Sequence, residues 1–110
     1  MANSEYKVIA QAAPGATTDT ALYTVPAGTE TIISTLFVAN RDSTTATFRV
    51  AIRPGGATLA NEHYIAFDVP IAGSDTTTIT CGITLAATDV MTVRASNANL
   101  SFNLSGTELS

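Results

Sequence analysis

The chain has 110 residues and a formal net charge of −4, and 45% of its residues are apolar but only 13% are charged. Its length fits one domain, its apolar content excludes intrinsic disorder, and its single cysteine excludes a disulfide scaffold. Five scattered basic residues against nine acidic ones argue against a nucleic-acid partner. With 19 Thr and 18 Ala, the surface has few strongly hydrated groups. Two interpretations stay open: a weakly charged exported or viral surface, or a surface buried against other subunits.

The first 18 residues are predicted to form an N-terminal arm or an edge strand, and residues 19–110 a β-sandwich domain. An arm of this kind would become ordered on a neighbouring protein. The start of the chain lacks a secretory signal pattern, because Glu5 precedes Lys7 and the first apolar run, Val8–Ala10, is too short. No segment reaches the roughly 20 apolar residues needed to span a bilayer. We therefore expect synthesis in a cytoplasm and no membrane partner.

Apolar residues alternate with polar ones in short runs, and Gly, Pro, Asn and Asp separate the runs, which is typical of β-strands. Spacing of about 8–12 residues between runs predicts an all-β protein with a single antiparallel sandwich, jelly-roll-like, with an immunoglobulin-like sandwich as the alternative. The third run is the most hydrophobic and is predicted to be central, and the last two are predicted to form a hairpin around residues 96–98. The runs, in chain order, are Tyr6–Ala12, Thr20–Val25, Glu30–Ala39, Thr45–Arg53, Glu62–Val69, Thr76–Leu85, Val90–Ala95 and Asn99–Leu104.

Alternation also predicts which side chains face the core. In the fourth run these are Phe48, Val50 and Ile52, and in the last run they are Leu100, Phe102 and Leu104. In the fifth run the same rule places Tyr64, Ala66 and Asp68 outward. It places four side chains of that run toward the core: His63, Ile65, Phe67 and Val69.

Residues suited to catalysis or metal binding are sparse. His63 is the only histidine and is interpreted as a satisfied core or strand-end residue, since a catalytic base needs a nucleophile and an orienting partner. Cys81 is interpreted as a small buried hydrophobe. The aspartates are spread over turns, without the spacing of a calcium loop. We therefore predict no catalytic residue, no cofactor and no metal ligand, and do not expect an enzyme.

Five side chains predicted to lie on the surface are candidate protein-interface residues. Arginine and tyrosine are enriched in protein interfaces and among the residues that contribute most to binding. The alternative is that the arginines serve solubility and pair with acidic residues on neighbouring strands. The candidates are Arg41, Arg49, Arg53, Tyr64 and Arg94.

Several stretches together resemble a family of small structural proteins of tailed bacteriophages, and the similarity runs from about Thr20 to the C-terminus. The resemblance implies an all-β virion component, such as a capsid decoration (cement) protein or a tail-associated protein. It carries over no functional residues, because no site motif is associated with it. The stretches are Leu22–Thr29, Ile33–Arg41, Ala46–Pro54, Ala60–Tyr64, Leu85–Val90 and Leu100–Gly106.

The sequence and the resemblance together lead to a functional expectation. We expect a non-enzymatic virion protein that is made in the host bacterial cytoplasm and decorates the capsid. It would bind across subunits of the major capsid protein or another virion protein and form a homo-oligomer, a trimer or a dimer. The alternative is a module of a tail fibre, spike or baseplate that binds a host receptor or glycan. An aromatic content of 6% slightly disfavours sugar binding.

Overall fold

The computed structural model describes the backbone of residues 4–109 and the side chains of residues 6–109. Eight strands dominate the fold, and two single turns of 3-10 helix, at Pro54–Gly56 and Asn61–His63, lie between the fourth and fifth strands. The strands are β1 (Ser4–Ala12), β2 (Thr20–Thr24), β3 (Glu30–Asn40), β4 (Ala46–Arg53), β5 (Tyr64–Ile71), β6 (Thr76–Leu85), β7 (Val90–Ala95) and β8 (Leu100–Leu109).

The strands form two four-stranded antiparallel sheets. The first sheet has the order β1-β8-β3-β6 and the second has the order β2-β7-β4-β5. The pairs β1/β8, β2/β7, β3/β6 and β4/β5 are nested in sequence, as if one long antiparallel ribbon were wrapped around the core. The all-β antiparallel sandwich predicted from the sequence is therefore confirmed.

The predicted C-terminal hairpin is wrong. β7 pairs with β2 and β4 in the second sheet, whereas β8 pairs with β1 and β3 in the first sheet. Residues 96–99 therefore cross between the sheets, over the roughly 10 Å that separates packed sheets. Both strands still turn their apolar side chains toward the shared core, so their sequence patterns look like those of a hairpin.

The core lies between the sheets, and β3 is central to the first sheet, as predicted. Its inward side chains Ile33, Leu36 and Val38 are fully buried. The rings of Phe48 and Phe102 meet edge to face across the core with centroids 6.3 Å apart. Burial of each such side chain contributes roughly 1.5–3 kcal/mol, so these contacts dominate the stability of the sandwich. The predicted inward faces of β4 and β8 are confirmed.

The predicted inward face of β5 is confirmed at Val69, which packs against the core, but is wrong at Ile65 and Phe67. Ile65 and Phe67 are 45% and 55% exposed, while Ala66 packs against the core. The register with β4 shifts on both sides of Ala66, and each shift inserts one extra residue into β5. An inserted residue is a β-bulge, and each bulge reverses the alternation of side chains that follows it. His63 precedes the strand, in the second 3-10 turn, where its Nδ1 accepts a hydrogen bond from the Ala60 N–H at 3.1 Å.

The N-terminal segment reaches both sheets. β1 is an edge strand of the first sheet and pairs with β8 along its whole length. The following loop reaches the second sheet, where the Thr17 N–H donates to the Ala95 carbonyl oxygen at 2.7 Å and Ala16 forms an isolated bridge to Ala95. This contact brings the loop alongside the end of β7.

Candidate interaction surfaces

Of the five candidate interface residues, Arg41 and Arg53 lie apart from the other three and bond to their own neighbourhoods. The Arg41 Nε–H donates to the Ser101 hydroxyl oxygen at 2.8 Å, and its Nη2 donates to the Ala98 carbonyl oxygen at 3.1 Å. The Arg53 Nε–H donates to the Thr92 hydroxyl oxygen at 3.0 Å, and its Nη1 donates to a carbonyl oxygen of the following loop. Arg53 therefore holds that loop against β7.

Arg49 and Tyr64 come together on the outer face of the second sheet, around Phe67. The Arg49 guanidinium carbon lies 4.0 Å from the centroid of the Phe67 ring, a cation–π contact. The rings of Phe67 and Tyr64 meet edge to face, with centroids 4.9 Å apart. Sequence reasoning missed Phe67, because the bulges that turn it outward depend on the register with β4.

Asp68 completes this cluster. Its two carboxylate oxygens accept hydrogen bonds from Arg49 Nε at 2.6 Å and from Arg49 Nη2 at 3.2 Å, the bidentate geometry that suits an arginine. These bonds hold the pKa of the Asp68 carboxyl below its usual value and raise the pKa of Arg49. Asp68 has φ +52°, a left-handed conformation that aspartate tolerates better than most residues. The bulge thus sets Phe67 and Asp68 opposite a single residue, Arg49.

Arg94 lies directly opposite Arg49 in the β4/β7 ladder. Like charges at directly opposed positions repel each other, so both guanidinium groups require nearby negative charge. Asp68 forms an ion pair with Arg49. The carboxylate nearest to Arg94 is that of Asp19, whose Oδ1 lies 3.7 Å from Arg94 Nη1. A cavity of about 210 Å³ opens beside the two arginines. It is lined by Thr17, Thr47, Phe48, Arg49, Asp68, Arg94, Ala95 and Ser96.

The outer face of the first sheet differs from the outer face of the second, because no charged side chain lies on it between Ile32 and Ala39 of β3. Glu30 lies at one margin of this surface, and Arg41, bonded to Ser101, lies at the other. We call this surface the uncharged face. Its outward residues are Tyr6, Val8, Gln11, Ile32, Thr35, Phe37, Ala39, Thr76, Thr78, Thr80, Thr84, Ser101, Asn103, Ser105 and Thr107.

The uncharged face holds four of the six large apolar side chains that are exposed in the described part of the chain. Tyr6 is 87% exposed, Val8 56%, Phe37 41% and Ile32 40%. Threonine and other uncharged polar residues lie between them. An apolar centre with a charged margin is the anatomy of a protein–protein interface.

Among residues 6–109, no group of three or more His, Cys, Asp or Glu side chains could hold a metal ion. Cys81 is partly buried among core residues, and burial raises the pKa of its thiol, which disfavours the reactive thiolate. No helix in the described part of the chain is long and apolar enough to cross a membrane.

Comparison with known proteins gives a structural likeness. No protein-family model matches the chain, and no curated protein sequence matches it. Among solved structures, the chain is similar to a protein in the acidic stable capsid structure of Helicobacter pylori bacteriophage KHP30. The two are 17% identical, the match covers 100% of this chain and 94% of the other, and the TM-score is 0.50. The likeness shows a shared fold.

Proposed function

We propose that this protein is a structural component of a phage virion, and specifically a decoration protein that binds across capsid subunits without catalysis. The observation that carries the proposal is the uncharged face, which presents apolar side chains within a layer of threonine. The fold shared with a protein of a phage capsid structure supports the same class. The resemblance of the sequence to phage virion proteins points in the same direction.

The uncharged face suits a partner surface because burying it removes no ion from water. Each Å² of apolar area buried is worth roughly 25 cal/mol, whereas a buried unpaired charge costs several kcal/mol. A stable interface buries roughly 800 Å² on each partner. A protein that binds the assembled shell, and not its free subunits, stabilises the shell by mass action. We further propose that the protein acts as a dimer or trimer, so that each assembly contacts several capsid subunits.

A pair of variants tests the proposal. Phe37→Glu places a carboxylate in the middle of the uncharged face, and Ile65→Glu places one at a position of similar exposure on the second sheet. We expect both variants to fold, and we expect Phe37→Glu alone to lose occupancy by roughly tenfold or more on particles that lack the native protein, because the buried charge would be unpaired. Quantitative mass spectrometry of purified particles measures the occupancy.

Reconstruction of the same particles determines where the protein binds. Hundreds of copies over the head are expected. A few copies at the tail or at one vertex would contradict the decoration role and favour the tail-associated alternative. Loss of occupancy with Ile65→Glu but not with Phe37→Glu would show that the second sheet, not the uncharged face, is the binding surface.

A further inference from the structure

We propose that the cavity beside Arg94, on the outer face of the second sheet, binds a carboxylate group. The cavity has a volume of about 210 Å³ and opens where the loop before β2 meets the ends of β4 and β7. This size suits one small anionic group rather than an extended ligand. The inference is independent of the proposed function, because the isolated chain is enough to test it.

Two side chains at the cavity offer hydrogen-bond donors that the protein itself leaves unused. Arg94 Nη1 lies 3.7 Å from Asp19 Oδ1, which is an ion pair but too long for a hydrogen bond. No side-chain hydrogen bond joins Arg94 to another residue in the described range 6–109. The Ser96 hydroxyl oxygen accepts the Thr47 N–H at 2.9 Å, which leaves the Ser96 proton available for donation. Both residues line the same cavity.

The charges around the cavity favour a monoanion. Arg49 and Arg94 repel each other across the ladder, and Asp68 already holds Arg49 with two hydrogen bonds. A carboxylate on Arg94 would form the corresponding bidentate pair, with shorter bonds than the 3.7 Å contact between Arg94 Nη1 and Asp19. A phosphate dianion would bring a second negative charge close to Asp19 and Asp68, so it fits less well.

The backbone at the cavity rim is strained. Thr17 has φ +51°, an uncommon conformation for a β-branched residue, and the bond from its N–H to the Ala95 carbonyl oxygen holds it there. Asp68, which also lines the cavity, has φ +52°. Strained residues that the surrounding structure holds in place cluster at ligand sites. The strain at Thr17 agrees with a site built for binding.

Acetate, titrated into the isolated 15N-labelled chain at neutral pH, tests the proposal, with acetamide as the uncharged control of the same shape. The readout is the arginine Nε–H resonances. We expect saturable shifts at Arg94 and smaller ones at Arg49, with acetate only. Arg41 and Arg53, whose Nε–H groups bond elsewhere, serve as internal controls. Equal, non-saturating shifts at all four arginines, or no shift at Arg94, would overturn the proposal.

Two variants sharpen the test. Arg94→Gln is expected to weaken acetate binding by roughly tenfold or more, the value of a lost charge-assisted hydrogen bond. Asp19→Asn is expected to strengthen it, because a competing negative charge is removed; weaker binding by this variant would contradict the proposal. Attachment of the Arg94→Gln variant to particles distinguishes the source of the carboxylate. Lost attachment would indicate that the carboxylate is an acidic side chain of a virion protein. Retained attachment would indicate that it is a free carboxylic acid.

Discussion

At the scale of single residues, one polar cluster connects the two sheets. The Tyr23 hydroxyl, in β2 of the second sheet, donates to Glu108 Oε2 at 2.5 Å and lies 2.8 Å from the Thr31 hydroxyl oxygen, both in the first sheet. Lys7 Nζ lies 3.0 Å from the other Glu108 oxygen. Burial, together with the bond to Glu108, raises the pKa of Tyr23 to about 12, while the bonds from Tyr23 and Lys7 lower the pKa of Glu108.

Replacing Tyr23 with Phe removes the hydroxyl from this cluster and keeps the ring. We expect a loss of about 1–3 kcal/mol in the free energy of unfolding at neutral pH, because a hydrogen bond to a charged group is lost. The folded-state pKa of Glu108 lies below its unfolded value of 4.5, so its contribution is present above pH 4.5 and is lost as the pH falls through the lowered pKa. The difference between wild type and variant should therefore narrow on acidification.

Urea unfolding of the two proteins at several pH values measures this difference. Tyr6→Phe is the matched control, because Tyr6 is 87% exposed and its hydroxyl takes no part in the cluster. A difference between wild type and Tyr23→Phe that stays constant from neutral pH to below pH 4 would show that the ionised Glu108 does not contribute.

At the scale of strands, the sequence predicted the existence of all eight and the inward residues of most. β6 and β7 have the bounds that the sequence predicted. The prediction of which β5 side chains face the core was wrong in part. The two bulges of β5 arise from its pairing with β4 and do not alter the alternation in its own sequence. The outward position of Phe67, and hence its contact with Arg49, was hidden for the same reason.

The backbones of β8 and β3 lie so close together at Gly106 that the position has no room for a side chain. A Cβ atom at this position would lie 2.4 Å from the Ile32 carbonyl oxygen, a backbone atom that cannot move without disturbing the ladder. We expect Gly106→Ala to lower the free energy of unfolding by about 1–3 kcal/mol, the usual cost of overpacking. Ser105→Ala, one residue earlier in the same strand, should change it by less than about 0.5 kcal/mol. Similar urea midpoints for the two variants would show that the strands separate easily.

At the scale of the whole molecule, the nested pairing joins the two ends of the chain, since β1 pairs with β8. Alternation within a strand does not determine which strands become neighbours. The pairing of β1 with β8 and the crossing between sheets after β7 could therefore not be predicted from the sequence pattern. The candidate site was predicted only in part for the same reason. Arg49 and Arg94 were predicted to face outward, but their direct opposition follows from the β4/β7 register. The low charge of the uncharged face was visible in composition alone.

Removal of residues 1–12 separates the two interpretations of the N-terminal segment. In the isolated chain β1 covers β8, and its residues Ile9, Ala10 and Ala12 pack against the core. If β1 is a constitutive edge strand, the truncated chain should lose roughly 2 kcal/mol or more of stability from lost apolar burial. It should also associate through the newly exposed edge of β8, because an uncovered strand edge pairs readily with other chains. Urea unfolding and sedimentation velocity measure both effects. Unchanged stability and a monomeric truncated chain would show instead that the segment is an arm that becomes ordered only on a neighbouring protein.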